Sequence, residues 1–276
     1  MTTGCWIMLI AGLSADPAIP RLKTGDVAIV VQIAEIREGD RVLQRLHPGV
    51  PLTIEALEKG RYWVSHEAAG WIDAESLAAP ELAVGIFSRQ ILAHPDSPEG
   101  YAARGAVLTI LKRYPEAIRD YDELVRLAPE VAASFGCRAT CRILQRDFDR
   151  ALADYTEAIR LDPENAVMFN DRASAWLQKL EFDKSIADAN TAARLAPRLE
   201  SIYAVRATAW AGKREFVQSQ ADCETAHRLN PRSGTGFNAV GWFLATNPRA
   251  ELRDGAKALE FALRACEVTK WQNAGH

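Results

Sequence analysis

Residues 121–129 read YDELVRLAP and residues 155–163 read YTEAIRLDP. The two stretches begin 34 residues apart and agree at Tyr, Glu, Arg, Leu and Pro. The interval holds well beyond them. Prolines stand at 95, 129, 163, 197 and 231. Two places before the last four sit Leu127, Leu161, Leu195 and Leu229, each preceded by an arginine: Arg126, Arg160, Arg194 and Arg228. Twelve places before the prolines the residue is always small: Ala83, Ala117, Ala151, Ser185 and Ser219. Tyr114, Phe148, Phe182 and Phe216 lie fifteen before the last four, and Gly105, Ala139, Ala173 and Ala207 lie twenty-four before them.

This spacing predicts a shape. Between prolines the apolar residues follow two stretches of helical period, each of about fourteen residues. Small residues on both helices let their axes approach closely. The aromatic fills the turn between them, and the proline stops the second helix. A helix pair of this kind cannot hide its apolar face alone. Successive pairs must stack and share a core.

The pattern resembles the tetratricopeptide repeat (TPR). Its small positions carry Gly105, Ala117, Ala139, Ala151, Ala173 and Ala207, its terminal proline is Pro129, Pro163, Pro197 and Pro231, and its early aromatic is Tyr101, Phe135, Phe169, Tyr203 and Phe237. Departures are Arg142, where an aromatic or Leu is the rule, and Ser185 and Ser219 in place of Ala. The resemblance implies a mainly α fold, a TPR α-solenoid of helix-turn-helix repeats over 81–276. It comprises a half repeat at 81–95, repeats at 98–129, 130–163, 164–197 and 198–231, and an atypical one at 232–271. It further implies a concave groove, lined by the first helices, that takes a peptide or partner helix. The groove positions are then Ala102, Ala106, Thr109 and Ile110; Gly136, Thr140, Ile143 and Leu144; Asn170, Ser174, Leu177 and Gln178; Ala204, Thr208, Ala211 and Gly212; and Asn238 and Trp242. None is Lys or Arg. The chaperone-binding TPR proteins clamp a C-terminal carboxylate with such residues, so the resemblance points away from that ligand. A neutral groove of small residues suits an apolar or helical segment. It also suits a structural spacer whose groove is idle.

Two charged columns run through the repeats. Arg104, Arg138, Arg172 and Arg206 stand 25 before each proline, and Asp120, Asp154, Asp188 and Asp222 stand nine before. Lys never replaces Arg, as bidentate pairing requires. The expectation is an Arg–Asp ladder that joins helices, rather than a charged binding stripe.

The chain ahead of the array reads differently. Residues 81–94 match only the second helix of a repeat, so something upstream must cover the face left bare. Upstream, the runs AIVVQIAEI, PLTIEAL, RYWVSH and GWIDAESL alternate with Gly39-Asp40, His47-Pro48-Gly49, Lys59-Gly60 and Gly70. Short strands and turns are expected there. The close AAGWIDAESL resembles a bacterial SH3-like domain over 24–79, which implies a small all-β barrel. Alternation places Tyr62 and Trp63 on opposite faces, so no full aromatic peptide groove is expected. Further upstream, CWIMLIAGLSA at 5–15 is an apolar run of eleven residues. That is too short to span a bilayer but fits the core of a secretory signal over 1–15, and so a secreted or periplasmic protein. A misread start or an apolar first strand would leave the protein cytoplasmic.

Composition narrows the function classes. The 276 residues carry a net charge of -3, with 48% apolar and 25% charged residues. No basic tract suited to nucleic acid is present. The five cysteines form no CxxC pair or zinc spacing, and the histidines at 47, 66, 94, 227 and 276 are scattered. No HExxH, GxSxG or phosphate-binding loop occurs. The reading is therefore a non-catalytic module that needs no metal or cofactor and has a protein or peptide as partner. At the other end, NPRAELRDGAK inserts about five residues into the last repeat before a helix expected near 256–268. Its apolar side has only TKWQNAGH after it, which leaves Trp271 as cover, or else self-association or a longer parent chain.

Overall fold

The computed structural model describes residues 22–58, 60–231 and 233–269. The secretory run at 1–15 and Trp271 lie outside them. Two compact units divide after Pro129.

The first unit opens with a sheet of seven antiparallel strands: β1 (Val27–Val30), β2 (Ala34–Glu38), β3 (Arg41–Leu46), β4 (Pro51–Glu58), β5 (Arg61–Ser65), β6 (Ala69–Asp73) and β7 (Leu77–Ala78), in the order β3-β2-β6-β5-β4-β1-β7. The run AIVVQIAEI, read as one strand, breaks at 31–33 into β1 and β2. Val30, Ile36, Ile54, Val64 and Ile72 fill one side of the sheet and are almost fully buried. Tyr62 is buried on that side, while Trp63 faces outward and meets Trp71 edge-on at 5.3 Å. Gly70 allows β6 to pass β2, since a Cβ there would sit 2.7 Å from the Arg37 carbonyl oxygen.

After the sheet come α1 (Pro80–Ala93), α2 (Pro98–Ile110) and α3 (Tyr114–Leu127). The missing helix of the half repeat has a replacement. Ile29 and Ala78, on the other face of β1 and β7, and Val31 just after β1 pack with Ala83 and Phe87 of α1 and with Ala103 and Val107 of α2. Strand β1 is thus buried on both faces, which explains why it is continuously apolar rather than alternating.

The second unit is a stack of helical hairpins: α4 (Ala132–Leu144) with α5 (Phe148–Leu161), α6 (Ala166–Gln178) with α7 (Phe182–Leu195), α8 (Glu200–Gly212) with α9 (Phe216–Leu229), and α10 (Thr235–Thr246) with α11 (Gly255–Thr269). Ala139, Ala151, Ala173 and Ala207 have no exposed surface, as close packing of axes requires. Ser185 and Ser219 are equally buried, and their hydroxyls have no hydrogen-bond partner. The turns inside the hairpins place Arg146, Leu180 and Arg214 at φ of 62–63°, and Lys112 does the same at 59° in the first unit. The next residue's N–H then reaches back to close the helix, as with Glu181 N to Trp176 O at 3.0 Å. The insertion in the last repeat forms a short 3-10 turn at Ala250–Leu252, and Arg214 Nη2 donates to the Glu251 carbonyl at 2.9 Å.

The Arg–Asp ladder is present. Each arginine donates through Nε and Nη2 to both oxygens of its aspartate, at 2.8 and 2.6 Å for Arg104–Asp120, 3.0 and 2.8 Å for Arg138–Asp154, 2.8 and 2.8 Å for Arg172–Asp188, and 2.8 and 2.6 Å for Arg206–Asp222. Nη1 of Arg104, Arg172 and Arg206 also works. It reaches back to the preceding second helix, at Ser88 Oγ (2.9 Å), Thr156 Oγ1 (3.2 Å) and Asn190 Oδ1 (2.7 Å). The anomalous Arg142 joins the same system, with Nη1 2.6 Å from Asp154 Oδ2.

Candidate functional site

In the second unit the first helices α4, α6, α8 and α10 touch in succession, so their outer residues form one continuous face. Helix period places one residue on that face every three or four positions. Leu144 is 49% exposed there, and Thr140 and Gln178 are exposed too. Ser174, Leu177 and Ile143 are half-buried. Gly136 lies beneath Met168, whose Cε would be 2.7 Å from an added Cβ.

Six of the residues read as groove contacts are buried: Gly136, Asn170, Ala204, Thr208, Ala211 and Gly212. Thr208 is 5% exposed and donates its hydroxyl to the Ala204 carbonyl at 2.9 Å. It is helix packing rather than contact surface, because α8 is hemmed in by α6 and α10 on either side. Asn170 is 7% exposed, so in the free protein its amide is buried within the face rather than open to solvent.

The centre of the face holds a polar cluster. Thr140 Oγ1 donates to the Gly136 carbonyl at 3.0 Å and lies 3.1 Å from the Tyr155 hydroxyl. Asn170 Nδ2 donates to Asp171 Oδ1 at 3.4 Å, while Asn170 Oδ1 is buried with no partner. Loss of water around Asp171 raises its carboxyl above the usual range, against the smaller lowering effect of Asn170. Loss of water also pushes the Tyr155 phenol up to about 12, with a smaller opposing effect from Thr140, and Asp171, Cys137 and Cys141 add to the rise. Cys137 is exposed, yet desolvation, helped by Cys141, raises its thiol too. A thiol with a raised pKa is a poor nucleophile.

Asp171, Cys137 and Tyr155 were missed in reading the sequence. The signal was available. Asp171 directly follows Asn170 and lies three residues before Ser174, so helix geometry puts it beside the assigned face. The same column holds Ala103, Cys137, Val205 and Ala239 in the other repeats, so the carboxylate occurs once.

In the first unit, Ala102 and Ala106 line a cleft of about 730 Å³ together with Gln90, His94 and the turn His47–Pro51. Gly49 allows that turn to approach, since its φ is 93° and a Cβ would meet Ala103 Cα at 3.0 Å. Thr109 is half-buried and donates its hydroxyl to the Gly105 carbonyl at 2.8 Å. At the far end of the second unit, Asn238 and Trp242 line an open apolar hollow of about 960 Å³ with Ala258, Leu259 and Ala262 of α11. Trp242 is 72% exposed.

Among the described residues, no three His, Cys, Asp or Glu side chains are grouped to hold a metal ion. No described helix is long and apolar enough to cross a membrane.

No family model matches the chain, and no curated protein matches it. Solved structures do. MamA from Desulfovibrio magneticus RS-1, residues 41 to the end, aligns over 64% of this chain and 97% of its own, at 16% identity and a TM-score of 0.52. YrrB, a TPR protein with an unusual peptide-binding site, aligns over 67% and 93%, at 16% identity and 0.50. The C-terminal part of a TPR repeat-containing protein from Cytophaga hutchinsonii aligns over 69% and 74%, at 17% identity and 0.53. At such identities the likeness speaks for the fold alone. The chain is mainly α, and its helical array has the tetratricopeptide-repeat fold, preceded by an antiparallel β-sheet.

Proposed function

We propose that the chain is a non-catalytic interaction module whose first-helix face receives a peptide or a helix of a protein partner. The observation that carries this reading is how the charges of α4, α6 and α8 are disposed. Their arginines, Arg138, Arg142, Arg172 and Arg206, are all paired with aspartates of the second helices. That leaves a face without free cations, on which Leu144 is exposed and Leu177 and Ile143 are partly so. Such a face offers apolar contact area with a few polar anchors, the composition of a recognition surface. The peptide-binding site of YrrB supports the same reading by likeness of fold. Crosslinked pull-down from the native organism tests it. Leu144→Glu and Leu177→Glu should remove a captured protein while leaving the melting temperature in place. Capture unchanged by both would favour the spacer reading, in which the array only holds the N-terminal sheet at a distance.

The sheet itself we read as an SH3-like barrel, on the strength of GWIDAESL in β6 and the turn after it. Export through the run at 1–15 belongs to the same proposal, and N-terminal sequencing of the mature protein decides it. A second contact surface is favoured by the far end of the array. Trp242, Leu259 and Leu263, on the last two helices, are 72%, 60% and 57% exposed, and large exposed apolar side chains grouped at one end are what a second copy would cover. Self-association there predicts a mass that grows with concentration in light scattering and a strict monomer for Leu263→Glu.

A further inference from the structure

A peptide that lies along α4, α6 and α8 must pass over the cluster of Asn170, Asp171, Thr140 and Tyr155. Two acceptors of that cluster, the Asn170 amide oxygen and the Asp171 carboxylate, lack a close donor. Asn170 Oδ1 is buried and has no partner. Among the described residues the Asp171 carboxylate accepts a hydrogen bond from the Asn170 amide alone, at 3.4 Å. Thr140 spends its hydroxyl proton on the Gly136 carbonyl, and the Tyr155 proton then points at Thr140 Oγ1, 3.1 Å away. The acceptors are short of a donor with positive charge.

Among the described residues no cation is paired with Asp171. The arginines of the neighbouring first helices are tied to Asp154, Asp188 and Asp222. Lys179 and Lys213, which follow α6 and α8, are paired with Asp149 and Asp183. A carboxylate in a partly dry site with no counter-ion is costly unless something pairs with it. Desolvation has already moved the Asp171 carboxyl in the direction that marks this cost. One carboxylate and one amide oxygen are too few for a divalent cation, which takes six or more oxygens. An organic cation with several N–H donors needs no more than these.

We propose that Asn170 and Asp171 form a subsite for the ammonium or guanidinium of a lysine or arginine side chain in the segment bound by this face. The inference rests on the groove reading above. The side-chain cation donates to Asp171 and Asn170 Oδ1, while its alkyl stem lies on the apolar floor between α4 and α6. The arrangement is the reverse of a carboxylate clamp, with the charge on the repeat protein negative and the charge on the peptide positive.

The test uses the full chain and two acetylated, amidated alanine–leucine nonapeptides that differ only in the central residue, lysine or norleucine. Binding is mapped by amide NMR at Asn170, including its side-chain NH₂, and at Asp171, Leu144 and Leu177. The lysine peptide should bind about tenfold more tightly, the effect of a single charge-assisted contact. Asp171→Asn should erase that advantage and leave the norleucine peptide unaffected. This change is isosteric and removes a poorly hydrated charge, so the fold should persist. If both peptides bind equally, or if the lysine advantage survives in Asp171→Asn, the cation subsite is wrong while the groove reading stands. If neither peptide shifts any residue of α4 or α6, both ideas fail together.

Discussion

Arg172→Ala puts the ladder to its hardest test. The guanidinium holds both oxygens of Asp188 at 2.8 Å, donates to Thr156, and lies 5.7 Å from the centre of the Phe169 ring. The side chains of Arg172 and Asp188 are 19% and 10% exposed. Truncating the arginine strands a buried carboxylate, which in a closed interior costs about 3–5 kcal/mol. Water can enter the space left by a partly exposed arginine, so the lower end, about 3 kcal/mol, is the expected loss. Asp188→Ala should cost less, about 2 kcal/mol, since the arginine keeps Thr156 and can turn its charge to solvent. The double alanine variant strands nothing, so its loss should be about 2 kcal/mol smaller than the sum of the single losses. Urea unfolding gives these values if circular dichroism and tryptophan fluorescence move together. An array that opens repeat by repeat would separate the two signals. A loss under about 1 kcal/mol for Arg172→Ala, or strict additivity in the double variant, would refute the claim that the pair is a buried structural joint.

Other expectations are independent of it. Ser185→Ala and Ser219→Ala restore the residue used at that column elsewhere and remove a buried hydroxyl without a partner, so each should stabilise by about 1 kcal/mol in thermal or urea unfolding. Gly105→Ala drives a Cβ to 2.8 Å from the Tyr121 ring, itself 4% exposed, and should lower stability by about 1–3 kcal/mol. Gly136→Ala meets only the flexible end of Met168, so its gain in helix propensity, about 1 kcal/mol, should roughly offset the crowding. Asp171→Asn should raise the melting temperature at pH 7 but have little effect near pH 3. The folded protein holds the Asp171 proton more tightly than the unfolded chain does, so stability from this group is full at low pH and is lost as pH rises from the ordinary value of 3.8 through the raised one. Tyr155, which senses the Asp171 charge, stays neutral across that window because its phenol is pushed up to about 12, and no described cation contributes to the Asp171 shift.

The helical array was legible because its packing imposes the same small, aromatic and proline positions every 34 residues, and the ladder because Arg and Asp recur in step. What escaped reading depends on backbone rather than on residue type. Lys112, Arg146, Leu180 and Arg214 share a left-handed turn but no side-chain chemistry. The use of β1 in place of a helix left only a continuous apolar run, which serves a buried strand or a buried helix equally. Thr208 was placed on the contact face by its register. Its burial comes from how closely α6, α8 and α10 approach, a distance that no single helix encodes. Asp171 escaped because the chosen face was drawn one residue too narrow, and its meaning rests on charges elsewhere being already spent.

The arginine fork reaches sixteen residues forward to an aspartate and sixteen back to a polar side chain of the previous second helix. Its bonds therefore depend only on distance along the chain, with no fixed start or finish. Excising any 34 consecutive residues between 130 and 230 joins like to like, wherever the cut begins, and each surviving arginine finds an aspartate ahead and a polar residue behind. Excising 33 turns every residue after the join by about 100° around its helix and breaks each bond that crosses it. A gene for this array can gain or lose copies by unequal recombination at arbitrary points, provided the length is conserved in steps of one period.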